Sequence, residues 1–149
     1  MVIPTFGHKE DNVDYHNRYG DYAVIPNAEK DKVILVQAPN GAWFLPGGEI
    51  EANENHFQAI ERELLEELGF KAVLGDYFGQ ADEYFYSSHR DTHFYNPAYI
   101  YEVASFEKIS QPLEDFNQLA WFPIEEAKTK LKRGSHQWGI EMWQKKQHS

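Results

Sequence analysis

The stretch from Gly47 to Phe70, GGEIEANENHFQAIERELLEELGF, constrains this chain more than any other. It opens on a glycine pair after Pro46 and closes on Gly69. The residues between read as one helix of about three to four turns. At about 100° per residue, Phe57, Ile60, Leu64 and Leu68 fall on one arc, predicting a core-facing stripe. Glu63, Glu66 and Glu67 stand at i, i+3 and i+4, so their carboxylates converge on a different face.

That second face is poorly built for meeting water alone. Like charges at such spacings cost about 0.2–0.5 kcal/mol per pair, and a solubilising helix would alternate Glu with Lys. Arg62 is the only cationic residue between Glu54 and Lys71. Carboxylates this close suit a hard divalent cation, and oxygen-only ligands select Mg²⁺ or Mn²⁺ over zinc or copper. A solvated acidic face is the competing reading of three glutamates taken by themselves.

The wider spacing decides between them. Gly48, five residues, Glu54, seven residues, then Arg62-Glu63-Leu64-Leu65-Glu66-Glu67-Leu68-Gly69-Phe70 resembles the Nudix box at every specified position. Trp43-Phe44-Leu45-Pro46-Gly47 is similar to that family's lead-in. The resemblance implies a Nudix pyrophosphohydrolase, which cleaves nucleoside diphosphates linked to another group, X. It implies an α/β (α+β) fold, an α/β/α sandwich with a mixed β-sheet between helices. It further implies Glu63, Glu66, Glu67 and the Gly48 carbonyl as ligands of Mg²⁺ or Mn²⁺, with Arg62 bridging to a box glutamate. In much of the family a general base comes from the box or from a glutamate in a later loop. Glu114 is the candidate here, with Asp115 beside it.

Composition agrees. A length of 149 residues predicts a single domain over 1–149, and 42% hydrophobic with 15% aromatic residues suits a folded globule. A net charge of −10 argues against a nucleic-acid polymer or membrane surface as partner. It also requires an acidic protein that handles phosphates to mask charge locally. There is no cysteine, which excludes disulfides and thiolate chemistry. No basic leader and no run of 18 apolar residues is seen, so a soluble, cytoplasmic monomer or homodimer acting on a small nucleotide is expected.

Along the chain, 18–26 and Lys32 to Ala38 read as strands joined by a polar turn, predicting an antiparallel hairpin. Trp43 to Leu45 is a short strand. Glu54 is expected in the helix's first turn, in a structural role aided by the helix dipole. Lys71 to Ser87 alternates as a strand with bends at Gly75 and Gly79. Ser88 to Thr92 forms a hairpin tip, and Phe94 to Phe106 returns as a strand. Leu119 to Phe122 is another, Pro123 starts a helix to about Leu131, and Ser135 to Lys146 closes the chain with Trp138, Met142 and Trp143 on its packing side. His8, His16, His56, His136 and His148 read as ordinary polar positions, and His89 with His93 as a weak metal pattern.

Substrate choice is less legible, because X is read outside the box. Tyr86 stands near where dinucleoside polyphosphate hydrolases carry a tyrosine. Without a marker of the ADP-ribose or coenzyme A branches, the chain is by default similar to the MutT-like branch, which acts on nucleoside triphosphates including oxidised ones. A dinucleoside polyphosphate hydrolase and a nucleotide-binding regulator without turnover are the alternatives.

Overall fold

A computed structural model describes residues 2–113 and 118–148. The elements in chain order are β1 (Thr5–Phe6), β2 (His16–Asn17), β3 (Gly20–Val24), β4 (Lys32–Gln37), β5 (Trp43–Phe44), β6 (Gly47–Glu49), α1 (His56–Leu68), β7 (Phe70–Ser87), β8 (Thr92–Lys108), β9 (Gln118–Pro123), α2 (Ile124–Lys130) and α3 (Gly134–Gln147). The larger sheet is mixed and runs β1-β7-β8-β3-β6, with β2 also on β8. Strand β3 lies parallel to β8 and antiparallel to β6, and β7 pairs antiparallel with β8. A second, antiparallel sheet runs β5-β4-β9.

Strands β3 and β4 are apolar on both faces because both faces are covered. Tyr22 and Val24 join Val33, Leu35, Ala127, Leu131, Ile140 and Trp143 on the side of α2 and α3. Ala23 and Ile25 join Ile34, Val36, Ile60, Leu64 and Leu68 on the side of α1. Each fully buried Leu or Ile contributes roughly 1.5–3 kcal/mol, so the first cluster fixes α2 and α3 against the strands and the second fixes α1. The result is the expected α/β/α arrangement. Trp143, with Ile140, is the core anchor of α3, while Met142 is only half-buried.

Three sequence expectations fail locally. The predicted hairpin of β3 and β4 does not form, since the two strands enter different sheets. Strand β3 already carries β8 on one edge and β6 on the other, and its contact with β4 shrinks to one bridge of Pro26 with Val33. Asn27 tightens the turn instead, its Oδ1 accepting from the N–H groups of Asp31 and Lys32 at 3.0 Å. Phe57 is 59% exposed rather than in the core stripe. The first turn of α1 faces Tyr99 and Tyr101, and Phe57 meets Tyr101 at 6.2 Å between ring centroids. Glu54 lies before the helix, because Asn55 is the N-cap and forms a reciprocal capping box with Gln58.

Other expectations match. Gly69 ends α1 in the left-handed conformation, φ 73°. The bends of β7 appear as register shifts between Val73 and Gly79. No helix among the described residues is long and apolar enough to cross a membrane.

Candidate active site

The site begins where β6 pairs with β3, placing Gly47 opposite Tyr22 and Gly48 opposite Asp21. Gly47 adopts φ 139°, and a Cβ there would come within 2.1 Å of the Asp21 carbonyl oxygen. This close approach aims the Gly47 N–H at α1, where Glu67 Oε1 accepts it at 2.9 Å. Glu67 is almost fully buried. Gly48 faces Glu63, and a Cβ on Gly48 would lie 2.7 Å from its carboxyl carbon. The glycine pair and the glutamates of α1 therefore share one small space, as the sequence spacing predicts.

Arg62 organises the acidic face. Its Nε and Nη2 donate to the two oxygens of Glu54 at 2.6 and 3.0 Å, a bidentate pair. Its Nη1 reaches Glu63 at 3.0 Å and Glu66 at 3.2 Å, and Nη2 also donates to the Glu49 carbonyl at 3.0 Å. Hydrogen bonding to Arg62, then to the Glu51 N–H, holds the Glu54 carboxyl below its usual range. The same Glu54 bond raises the Arg62 guanidinium. Arg62 thus ties the loop before α1 to the acidic face of the helix.

The donor chemistry fits a divalent cation. Glu63, Glu66, Glu67 and the backbone at Gly48 offer only hard oxygen atoms, gathered beside one another. Among the described residues no three carboxylate or imidazole groups already form a ligand shell. Glu63 and Glu66 instead accept from Arg62.

A cleft opens from this face. It is lined by Gly47, Gly48 and Glu67, and also by Arg18, Arg133 and His136, with Tyr22 and Phe44 as aromatic surface. His136 is not an ordinary polar position. It is 1% exposed, its Nδ1 accepts the Leu45 N–H at 3.0 Å, and its ring lies 4.4 Å from that of Tyr22. Burial, then the nearby Arg133 charge, pushes its pKa well below the usual imidazole range. His56 is not ordinary either. Its Nδ1 lies 2.8 Å from Oδ1 of the fully buried Asp21, joining the start of α1 to β3. Burial raises the Asp21 carboxyl, opposed by its hydrogen bond to His56.

The family model for the NUDIX domain matches residues 17–142. The chain belongs to the Nudix family. Over 55 residues it is 44% identical to a CTP pyrophosphohydrolase of Escherichia coli, covering 33% of this chain and 41% of that protein. Over 104 residues it is 31% identical to diphosphoinositol polyphosphate phosphohydrolase 3-beta of Bos taurus, covering 66% of this chain and 58% of that protein. The chain spans about half the length of these curated relatives. Its fold is similar to that of a solved NUDIX hydrolase from Nitrosomonas europaea, at TM-score 0.66 and 25% identity over 88% of this chain and 90% of that one.

Within the Nudix frame, the candidates separate clearly. Arg62, Glu63, Glu66, Glu67 and Gly48 come together. Glu114 and Asp115 lie outside the described residues. Tyr86 sits beside the hairpin tip with its hydroxyl donated to Asp91. His89 is exposed at that tip, while the His93 ring packs on Tyr86 and Tyr15. Sequence reasoning missed Arg18, Arg133, His136 and Asp21 as site residues. No spacing links them to the box, and only strand pairing and the docking of α3 bring them near it.

Proposed function

We propose that this Nudix chain, acting as one domain over 1–149, hydrolyses a pyrophosphate bond in a nucleoside diphosphate linked to X. The preferred substrate is a nucleoside triphosphate, giving a nucleoside monophosphate and pyrophosphate. The observation that carries this reading is the Gly47-Gly48 pair of β6 set against Glu63 and Glu67 at the mouth of a cleft that also holds Arg18 and Arg133. In a protein of net charge −10, that cleft is an unusual place to find two arginines.

Glu63, Glu66, Glu67 and the Gly48 carbonyl would hold Mg²⁺ or Mn²⁺. Such an ion, when bound, neutralises phosphate oxygens and acidifies water. The chain's own contribution is placement. Gly47 fixes the Glu67 carboxylate through its N–H, and Arg62 fixes Glu63 and Glu66 from the side. Arg18 attracts the phosphate chain, and the aromatic floor of Tyr22 and Phe44 offers a stacking surface for a base. Glu114 remains the proposed general base, drawing a proton from water.

A second substrate class is favoured by one observation: the similarity to the diphosphoinositol polyphosphate phosphohydrolase covers twice the share of this chain that the CTP pyrophosphohydrolase does, 66% against 33%. Both classes contain a phosphoanhydride. The test is a panel of nucleoside triphosphates, dinucleoside polyphosphates and a diphosphoinositol polyphosphate, assayed for phosphate and pyrophosphate release with Mg²⁺ and with EDTA. Pyrophosphate release from triphosphates, abolished by EDTA, supports the reading. Tight nucleotide binding without release of either product would make the chain a regulator.

A further inference from the structure

We propose that Arg133 and His136 form a donor-only subsite that reads a nucleobase edge carrying two adjacent hydrogen-bond acceptors, as guanine and cytosine do. The inference rests on the nucleotide reading above and narrows it to a class of base.

The tautomer of His136 is set by its surroundings. The Leu45 N–H can only donate, so His136 Nδ1 accepts and the ring proton sits on Nε2. That Nε2 is buried and has no hydrogen-bond partner among the described residues. His136 lines the cleft beside Gly47, Gly48 and Glu67. A buried donor without an acceptor is costly, and a ligand acceptor in the cleft would relieve it.

Arg133 supplies the second donor. Its guanidinium carbon lies 3.5 Å from the Phe85 ring centroid and 5.1 Å from that of Phe44, which holds the planar fork in one orientation. No carboxylate among the described residues lies within ion-pair distance of it. Its protein partner is the Asn96 Oδ1 at a long 3.5 Å. The nearby Glu83 accepts the Ser135 N–H at its Oε1, at 2.9 Å. Arg133 and His136 line the same cleft, and the Arg133 charge reaches the His136 ring.

Two donors and no acceptor is a chemical filter. Guanine presents O6 and N7 side by side, both acceptors. Cytosine presents N3 and O2. Adenine sets an amino donor beside N7. Oxidation of guanine at C8 converts N7 into an N–H, which would point a donor at a donor. The subsite therefore selects against 8-oxoguanine as well as adenine. A mismatch that leaves one buried donor unpaired corresponds to roughly 5- to 150-fold.

The test compares dGTP, 8-oxo-dGTP, dCTP and dATP in kcat/KM, and the matching monophosphates with ribose 5-phosphate in direct binding without metal. Wild type should favour dGTP or dCTP over both 8-oxo-dGTP and dATP by about tenfold or more, chiefly through KM. Arg133→Gln and His136→Gln, which add an acceptor, should each shrink that ratio. Arg133→Lys keeps the charge but loses the fork, and should shrink it too if a glutamine variant does not fold. Wild type that prefers 8-oxo-dGTP, or variants that keep the wild-type ratio, would overturn the proposal. Ribose 5-phosphate binding as tightly as the monophosphates, and weakened equally by the variants, would show a phosphate subsite and overturn it as well. Absence of turnover on every nucleotide would defeat the hydrolase reading alone, since base discrimination is still read in binding.

Discussion

Adjacent glycines in the box should fail in opposite ways when each is changed to alanine. In Gly47→Ala the new Cβ would lie 2.1 Å from the Asp21 carbonyl oxygen and 2.8 Å from the Tyr22 Cα, at φ 139°. Both neighbours are backbone of β3, a strand buried on both faces, and neither can rotate away. The conformation alone costs about 1–3 kcal/mol, and forcing the strands apart adds about 1–3 kcal/mol. For a chain of this size that lowers the melting temperature by roughly 5–20 °C. In Gly48→Ala the Cβ meets only the end of Glu63, at 2.7–2.8 Å. Turning that side chain costs about 0.5–1.5 kcal/mol, and the stiffer unfolded chain returns about 0.4–1 kcal/mol.

Stability should therefore separate from activity. Gly48→Ala should melt close to wild type in EDTA, yet its displaced Glu63 should lower kcat/KM with Mg²⁺ by about 10²-fold, the effect of a small misplacement at a reacting centre. Urea and thermal melts in EDTA, with Mg²⁺ titrations of turnover, measure both. A Gly47→Ala protein as stable as wild type, or a Gly48→Ala protein with wild-type kcat/KM, would refute the reasoning from the close contacts.

Leu64→Ala should cost about 2–5 kcal/mol in urea melts, because Leu64 is fully buried under α1, while exposed Phe57→Ala should stay within about 0.5 kcal/mol. Glu67→Gln keeps an amide oxygen able to accept the Gly47 N–H, so its melt in EDTA should stay near wild type while Mg²⁺-dependent turnover falls by more than about 10²-fold. His136 is held neutral in the folded protein and takes up a proton on unfolding, so stability should fall as pH drops below about 6.5, by up to about 1.4 kcal/mol per pH unit. His136→Gln should flatten that slope in melts run from pH 7.5 to 5. The Glu54 carboxyl is held low by Arg62, so its contribution is present above the usual glutamate range and lost as pH falls through its folded value. Arg62→Gln should remove this second, more acidic transition and leave the first.

What the sequence discloses depends on how far apart the interacting atoms lie along the chain. Glu63, Glu66 and Glu67 are neighbours on one helix, so their convergence follows from 3.6 residues per turn and needs no knowledge of the rest. Gly48 and Arg62 are legible because the box fixes their offsets from that helix. The failures lie at the ends of the same elements. Phe57 has the right phase for the core stripe, but the capping box of Asn55 and Gln58 starts the helix late, and its first turn faces tyrosines of β8. The predicted β3–β4 hairpin fails because β3 already pairs with β8 on one edge and β6 on the other, partners far along the chain that leave β4 to a second sheet.

His136 marks the limit of that legibility. Its importance is a property of one nitrogen, fixed by an N–H donor on Leu45, 91 residues earlier. Leu45 itself is placed by the lead-in to the box, whose Pro46 carbonyl accepts the Ala23 N–H at 2.9 Å. The turn that sets the Glu67 carboxylate thus also sets the tautomer of the imidazole across the cleft. A change at the Leu45–Gly47 turn should consequently disturb carboxylate placement and base choice together, whereas a change in α3 should disturb base choice alone. Chain topology couples the two halves of the site, and no pattern within either half carries that information.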